Sequence, residues 1–324
     1  MPVQWIIVTP EAALETQYLT DFQRKKLVQQ NLFYTESGAE SFYTYRNADF
    51  EEIRWEDEVA FFQRQTFCTP ETRVAFVSLG CGNAIAERML LRQMHARGAA
   101  WAYFGADSSR RMLELAEANL AAEAFPVTLL LADFTQPAFR EICAHLLADF
   151  DARIYAALGG TFGNFAPEHI AAALRTLVPP GDYVYLDVVP KPETPAEVSQ
   201  LEARFARLAV NYDRFFASVL DRLCIPRASG EVISDVGRDP GLDTLRCTFH
   251  FRARERLKFP CFDESLPLHP GETIELLTIR AYNAATLRDF MTGYGFCAVD
   301  HYLPDVGRLS HPWLRMLFKR TETA

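Results

Sequence analysis

From about residue 74 to residue 190 the chain alternates two kinds of segment, and this alternation limits its fold more than any other feature. Solid apolar runs (VAFVSLG, AWAYFGAD, PVTLLLADF, RIYAALGG and YVYLDVV) are separated by stretches with helical spacing. In AIAERMLLRQMHA, for example, Ile85, Met89, Leu90 and Met94 fall at the spacing of one helix face. A strand with no polar face is buried on both sides, and strands that alternate with helices are joined by crossovers. Together these predict a parallel sheet covered by helices on both faces. Ser108 or Ser109 can cap the helix RRMLELAEANL, and Pro167 stands in the first turn of PEHIAAALRTL.

After residue 190 the rhythm breaks. PKPETPAEV reads as a linker, and a helical stretch follows over about 195 to 224. LRCTFHFRARERL and ETIELLTIRAY alternate polar with apolar residues, as half-exposed antiparallel strands do. The end returns to helix, strand and strand, and the N-terminal 60 residues read as mostly helical and as preceding the first sheet strand. The expected organisation is an α/β domain over 61–190 and 276–324, with a second α+β lobe built from 1–60 and 191–275.

Composition removes several classes. The net charge of −9 gives no basic face for a nucleic-acid backbone. No apolar stretch is long enough for a membrane span, and the first residues do not read as a signal peptide. The seven cysteines are scattered without a CxxC, so they read as reduced thiols and the protein as cytoplasmic. There is no HExxH, close His pair or GxSxG, hence no expected metal and no hydrolase elbow.

In an open parallel sheet, ligands bind beyond the carboxyl ends of the strands. Three polar features fall there: the turn with Gly80 and Gly82, Asp107, and Asp133 with Phe134. A dinucleotide site calls for a third glycine at position 85, where this chain has Ile85, so no place is reserved for a pyrophosphate. Asp107 suits a ribose diol, since a carboxylate accepts from both hydroxyls. Asp133-Phe134 suits an adenine amino group and ring. Each feature alone has a bland reading: a tight turn, a strand-end cap, a core ring. Taken in order over consecutive βα units, they point to adenosine without phosphate.

The order VSLGCGN, FGADSSRRMLELA, LLADF resembles the Rossmann-like class I methyltransferases that use S-adenosylmethionine, over roughly residues 70 to 190. The segment GGTFGNFAPEHI is similar to the G-S-T-I-G-N-F segment of the histidine N-alpha-methyltransferase family of ergothioneine biosynthesis. QNLFYTESGAESFY and GETIELLTIRAY resemble two further stretches of that family, which also has a second lobe. The resemblance implies cofactor contact by Gly80, Gly82, Asp107, Ser108, Asp133, Phe134 and Gly160. It implies that Asn164 and Tyr34 hold the amino and carboxylate end of the acceptor, with Tyr212 as a further substrate tyrosine. The family's Glu and Ser that read an imidazole fall on Leu277 and Ile279, and its following Lys falls on Ala281. Neither Leu nor Ile can pair an imidazole, and each unpaired polar group costs about 1–3 kcal/mol. A register change or bulge restoring Glu275 is the alternative.

The expectation is therefore an S-adenosylmethionine-dependent N-methyltransferase acting on an amino acid or related small amine other than histidine. The competing readings are a small-molecule O- or C-methyltransferase, a nucleotide-binding oxidoreductase and a silent cofactor-binding protein. Cys81, in the turn, has no His beside it in sequence and reads as packed, not as a nucleophile.

Overall fold

The computed structural model describes residues 2–25, 38–40, 55–211, 213–239, 241–258, 267–303 and 313–322. The chain divides into two compact units. One comprises Met1–Glu11, Arg46–Pro190 and Tyr282–Ala324, the other Ala12–Tyr45 and Lys191–Ala281.

In chain order the elements begin with β1 (Gln4–Ile7), α1 (Glu11–Lys25), α2 (Trp55–Gln63), β2 (Arg73–Leu79), α3 (Ile85–Ala96), β3 (Ala100–Asp107) and α4 (Arg110–Leu120). There follow β4 (Val127–Leu131), α5 (Pro137–Leu146), β5 (Ala152–Ala157), the single turn α6 (Thr161–Asn164), α7 (Pro167–Leu177) and β6 (Tyr183–Pro190). The remainder is α8 (Pro195–Asn211), α9 (Asp213–Arg222), β7 (Gly230–Asp239), β8 (Thr244–Ala253), β9 (Thr273–Tyr282), α10 (Ala284–Gly293), β10 (Phe296–Tyr302) and β11 (Leu314–Arg320).

In the first unit the strands run in the order β1-β4-β3-β2-β5-β6-β11-β10. All pairs from β1 to β6 are parallel, and β11 is antiparallel to both β6 and β10. The chain builds outward from β2 to β3 and β4, then returns to place β5 on the other side of β2. That reversal makes a switch point between the carboxyl ends of β2 and β5, where such sheets hold ligands. The apolar runs are buried as their composition requires, with Val74 to Val77 fully covered in β2. Helix α2 seats the Phe62 ring on the sheet, where it meets Trp101 at 5.3 Å and Tyr185 at 4.7 Å, both edge-on. Emptying such a site by Phe62→Ala costs about 3–5 kcal/mol.

The structure departs from the sequence reading at β1. The N-terminal segment does not simply precede the sheet, because Gln4–Ile7 pairs in parallel with β4. This edge strand has four residues, and its short apolar patch, WIIV, stands outside the βα alternation that marks the other strands.

In the second unit β7, β8 and β9 form an antiparallel meander. Strand β7, GEVISDVGRD, is half-exposed and carries two glycines, so its sequence has no clear strand signature. Cys224 is disulfide-bonded, while Cys68, Cys81, Cys143, Cys247 and Cys297 are free. The expectation of seven reduced thiols thus fails at Cys224, since spacing along a chain does not reveal which thiols meet in space. Among the described residues, no helix is long and apolar enough to cross a membrane.

Candidate active site

The turn after β2 is built from residues in left-handed conformations: Gly80 (φ 73°), Gly82 (φ 54°) and Ala84 (φ 56°). Glycine adopts that region without steric cost, which explains two of the three. The Gly80 and Cys81 amides both donate to the Ala106 carbonyl at 2.9 Å, pinning the turn to the end of β3. A Cβ on Gly80 would stand 3.3 Å from Thr161 Cγ2, and one on Gly82 would stand 3.3 Å from Met112 Cε. The turns after β2 and β5 therefore touch across the switch point.

Asp107 closes the same corner. Its Oδ2 accepts the Gly82 amide and its Oδ1 the Ser109 amide, each at 2.9 Å. Burial pushes the carboxyl up to about 6, against the pull of the Ser109, Gly82 and Ser108 amides. Ser109, not Ser108, caps α4: its hydroxyl accepts the Met112 amide at 3.2 Å. Ser108 is half-buried beside it.

At the end of β4, Asp133 Oδ1 accepts from the Thr135 amide (2.9 Å) and hydroxyl (2.7 Å), which orients the carboxylate. Phe134 is buried and meets Phe165 edge-on at 5.7 Å. At the end of β5, Gly160 (φ 80°) precedes α6, and a Cβ there would lie 3.1 Å from the Trp313 ring. Asn164 ends α6, half-buried, and its side-chain amide makes no hydrogen bond among the described residues. The structure thus gathers Gly80, Gly82, Asp107, Ser108, Asp133, Phe134, Gly160 and Asn164 at the carboxyl ends of β2 to β5. Tyr34 and Tyr212 lie outside the described residues.

Two buried polar groupings went unread in the sequence. Beneath the Gly turn, the Ser78 hydroxyl donates to Glu87 Oε1 at 2.5 Å, and burial raises the Glu87 carboxyl to about 7. Burial also drives the Cys81 thiol well up, with Asp107 and Glu87 adding to the effect, so Cys81 is a packed thiol and not a thiolate. The second grouping links α2 to the turn after β5. Arg315 Nε donates to Glu58 Oε2 at 3.1 Å, and Arg315 Nη1 lies 3.4 Å from Asp187 Oδ2. Tyr185 donates to Glu58 Oε1 at 2.5 Å, and Asp187 Oδ1 accepts the Gly160 amide at 3.0 Å. Burial works against the Arg315 charge, but the Glu58 and Asp187 carboxylates outweigh it and raise its pKa. A signal existed in Asp187, the one charge inside YVYLDVV.

In the second unit, Leu277 pairs with Phe249 and Ile279 with Cys247, whereas Glu275 pairs with His250. The register shifts between Phe249 and His250, leaving Leu276 as an extra residue on β9. Facing residues of an antiparallel pair share a side, and neighbours along a strand alternate. The bulge at Leu276 therefore puts Glu275 on the face opposite Leu277 and Ile279. Glu275 Oε1 accepts the Thr278 hydroxyl at 2.6 Å, and the Thr248 hydroxyl lies 3.2 Å from that of Thr278, placed to donate to it. Leu277 and Ile279 share their side with Phe249, whose ring lies 5.3 Å from that of Phe216.

Comparison with known proteins bears on the family. No curated protein matches the chain. Among solved structures, an S-adenosylmethionine-dependent methyltransferase from Clostridium acetobutylicum is similar over 96% of this chain and 99% of its own, at 10% identity and a TM-score of 0.39. The 1,6-didemethyltoxoflavin-N1-methyltransferase of Burkholderia thailandensis is similar over 97% of this chain and 92% of its own, at 11% identity and a TM-score of 0.45. The family described as "Histidine-specific methyltransferase, SAM-dependent" matches residues 14–192, more than half of the 324-residue chain. On that match the chain belongs to this family of S-adenosylmethionine-dependent methyltransferases, and the parallel strand order of its first unit is that of a Rossmann-like α/β sheet.

Proposed function

We propose that the protein methylates the amino group of an amino acid or related small amine whose side chain is apolar, and that histidine is not its preferred acceptor. S-adenosylmethionine supplies an electrophilic methyl group on a sulfonium. On this reading the turns at Gly80, Gly82 and Gly160 face the cofactor with backbone, because their left-handed φ values and their packing against Thr161, Met112 and Trp313 reserve these positions for glycine. Asp107 accepts the ribose hydroxyls through lone pairs that the Gly82 and Ser109 amides leave unused. Ser108 flanks that carboxylate. Phe134 offers an apolar ring to adenine, and Asp133 accepts from its amino group.

The unused side-chain amide of Asn164 orients the acceptor. It can donate and accept but cannot act as a base. Tyr34 and Tyr212 are proposed to hold the same end of the acceptor. The departing amine proton passes to water or to one of these polar groups. Alignment of the amine lone pair does most of the remaining work.

The register of β9 carries the choice of side chain. The resemblance aligns Leu277 and Ile279 with the positions that read an imidazole, and the reading is supported by their sharing the Phe249 side of the sheet while Glu275 is turned the other way. That segment lies beyond the residues matched by the family, so membership does not decide it. The double change Leu277→Glu with Ile279→Ser tests the reading. The variant should gain histidine methylation and lose rate on apolar acceptors. An unchanged ratio of the two rates would count against it.

A further inference from the structure

The features so far lie at the carboxyl ends of the strands. Near the amino ends of β5 and β6, the first unit contains a cleft of about 510 Å³. Arg140 of α5, Arg153 of β5, Arg175 of α7 and Arg320 of β11 all line it, and among the described residues no acidic side chain does. In a chain with 42 acidic and 33 basic residues, four arginines lining one cleft need a reason.

Their partners do not supply one. Only Arg153 reaches a carboxylate: its Nη1 lies 3.3 Å from Asp182 Oδ1, while its Nε donates to the Leu147 carbonyl at 2.9 Å. Arg320 Nη1 donates to the Gly295 carbonyl at 2.8 Å, and its buried Nε has no partner. Gly295 (φ 80°) lacks the Cβ that would collide with this guanidinium. Arg140 and Arg175 make no hydrogen bond or ion pair among the described residues. Burial and the nearby Arg175 charge both lower the pKa of Arg320, a sign of unrelieved repulsion. The cleft thus holds three positive charges with no counter-charge among the described residues, each on a planar group suited to two-point recognition of an oxyanion. Tyr155 and Pro179 add an apolar wall.

We propose that this cleft binds a compact phosphoryl anion, free or carried on a small metabolite, at a site separate from methyl transfer. Three guanidiniums suit the two or more charges of a diphosphate better than a single carboxylate. The test is calorimetric titration of inorganic pyrophosphate, and separately of ADP, into the full chain saturated with S-adenosylhomocysteine. The saturating ligand keeps the adenosine of ADP out of the cofactor site. Ionic strength is held constant.

Saturable pyrophosphate binding is expected, weakened about tenfold by Arg175→Ala and by Arg140→Ala, and more by both together. Both side chains are exposed and unpaired, so these variants should keep the fold and the S-adenosylhomocysteine affinity, which the same samples report. Tighter binding of ADP than of pyrophosphate, lost in the double variant, would identify a nucleotide as the source of the anion. Equal or weaker binding would identify a free phosphoryl anion. The proposal is overturned if neither anion binds at millimolar concentration, or if the double variant binds pyrophosphate as the parent does.

Discussion

Asp107 Oδ2 accepts the Gly82 amide at 2.9 Å, so the carboxylate that ends β3 also shapes the turn that follows β2. Removing it should therefore act twice, on the proposed ribose contact and on the turn. Asp107→Ala should weaken S-adenosylmethionine binding by about 1–3 kcal/mol, read by calorimetry.

The same carboxyl sets a pH dependence. Its folded pKa is raised from 3.8 to about 6, chiefly by burial. A raised carboxyl favours the folded state most below its unfolded pKa, and that contribution fades as pH rises through about 6. Cofactor binding should run the other way, because the ionised form accepts the hydroxyls. Affinity should fall as pH drops through about 6 and hold steady above it. Asp107→Asn should remove that inflection. An inflection that survives in the variant would assign it to another group.

Asn164 separates acceptor from cofactor. Asn164→Ala should cut turnover while S-adenosylmethionine affinity stays nearly unchanged, since the proposed cofactor contacts lie on other residues. Paired measurement of kcat and cofactor Kd decides this, and a variant with full activity would remove Asn164 from the acceptor site.

Arg315 stands between two buried carboxylates, Glu58 and Asp187, which are 1% and 5% exposed. Arg315→Met leaves both unpaired and should cost about 3–5 kcal/mol, or roughly 10 °C in Tm. Adding Glu58→Gln and Asp187→Asn should recover much of the loss, because the desolvated charges go with them. A single variant as stable as the parent would mean that the network is not fully desolvated.

How much of this was legible follows from what leaves a local trace. The βα alternation did, because buried parallel strands have no polar face and VAFVSLG and YVYLDVV show none. The Gly turn and Asp107 did, because they end such runs. Strand β1 did not, since the patch WIIV is short and its pairing partner, β4, lies more than 120 residues further along the chain. Nor did the contact of Arg315 with Glu58, which joins residues 257 apart in the chain. The bulge at Leu276 sits inside the unbroken stretch TIELLTI, where a period-two reading puts Glu275 and Leu277 on one side. One extra residue reverses that placement.

The most direct test of the proposed acceptor class is a competition. The protein is incubated with S-adenosylmethionine and an equimolar set of amino acids, and each is followed for the gain of methyl units, with fragmentation placing the methyl. An acceptor with an apolar or aromatic side chain should be methylated on its amino nitrogen. Histidine should lag by roughly tenfold to a hundredfold, the penalty for an imidazole whose donor and acceptor find no partner. Trimethylation of histidine at the rate of the best acceptor in the set would contradict the account.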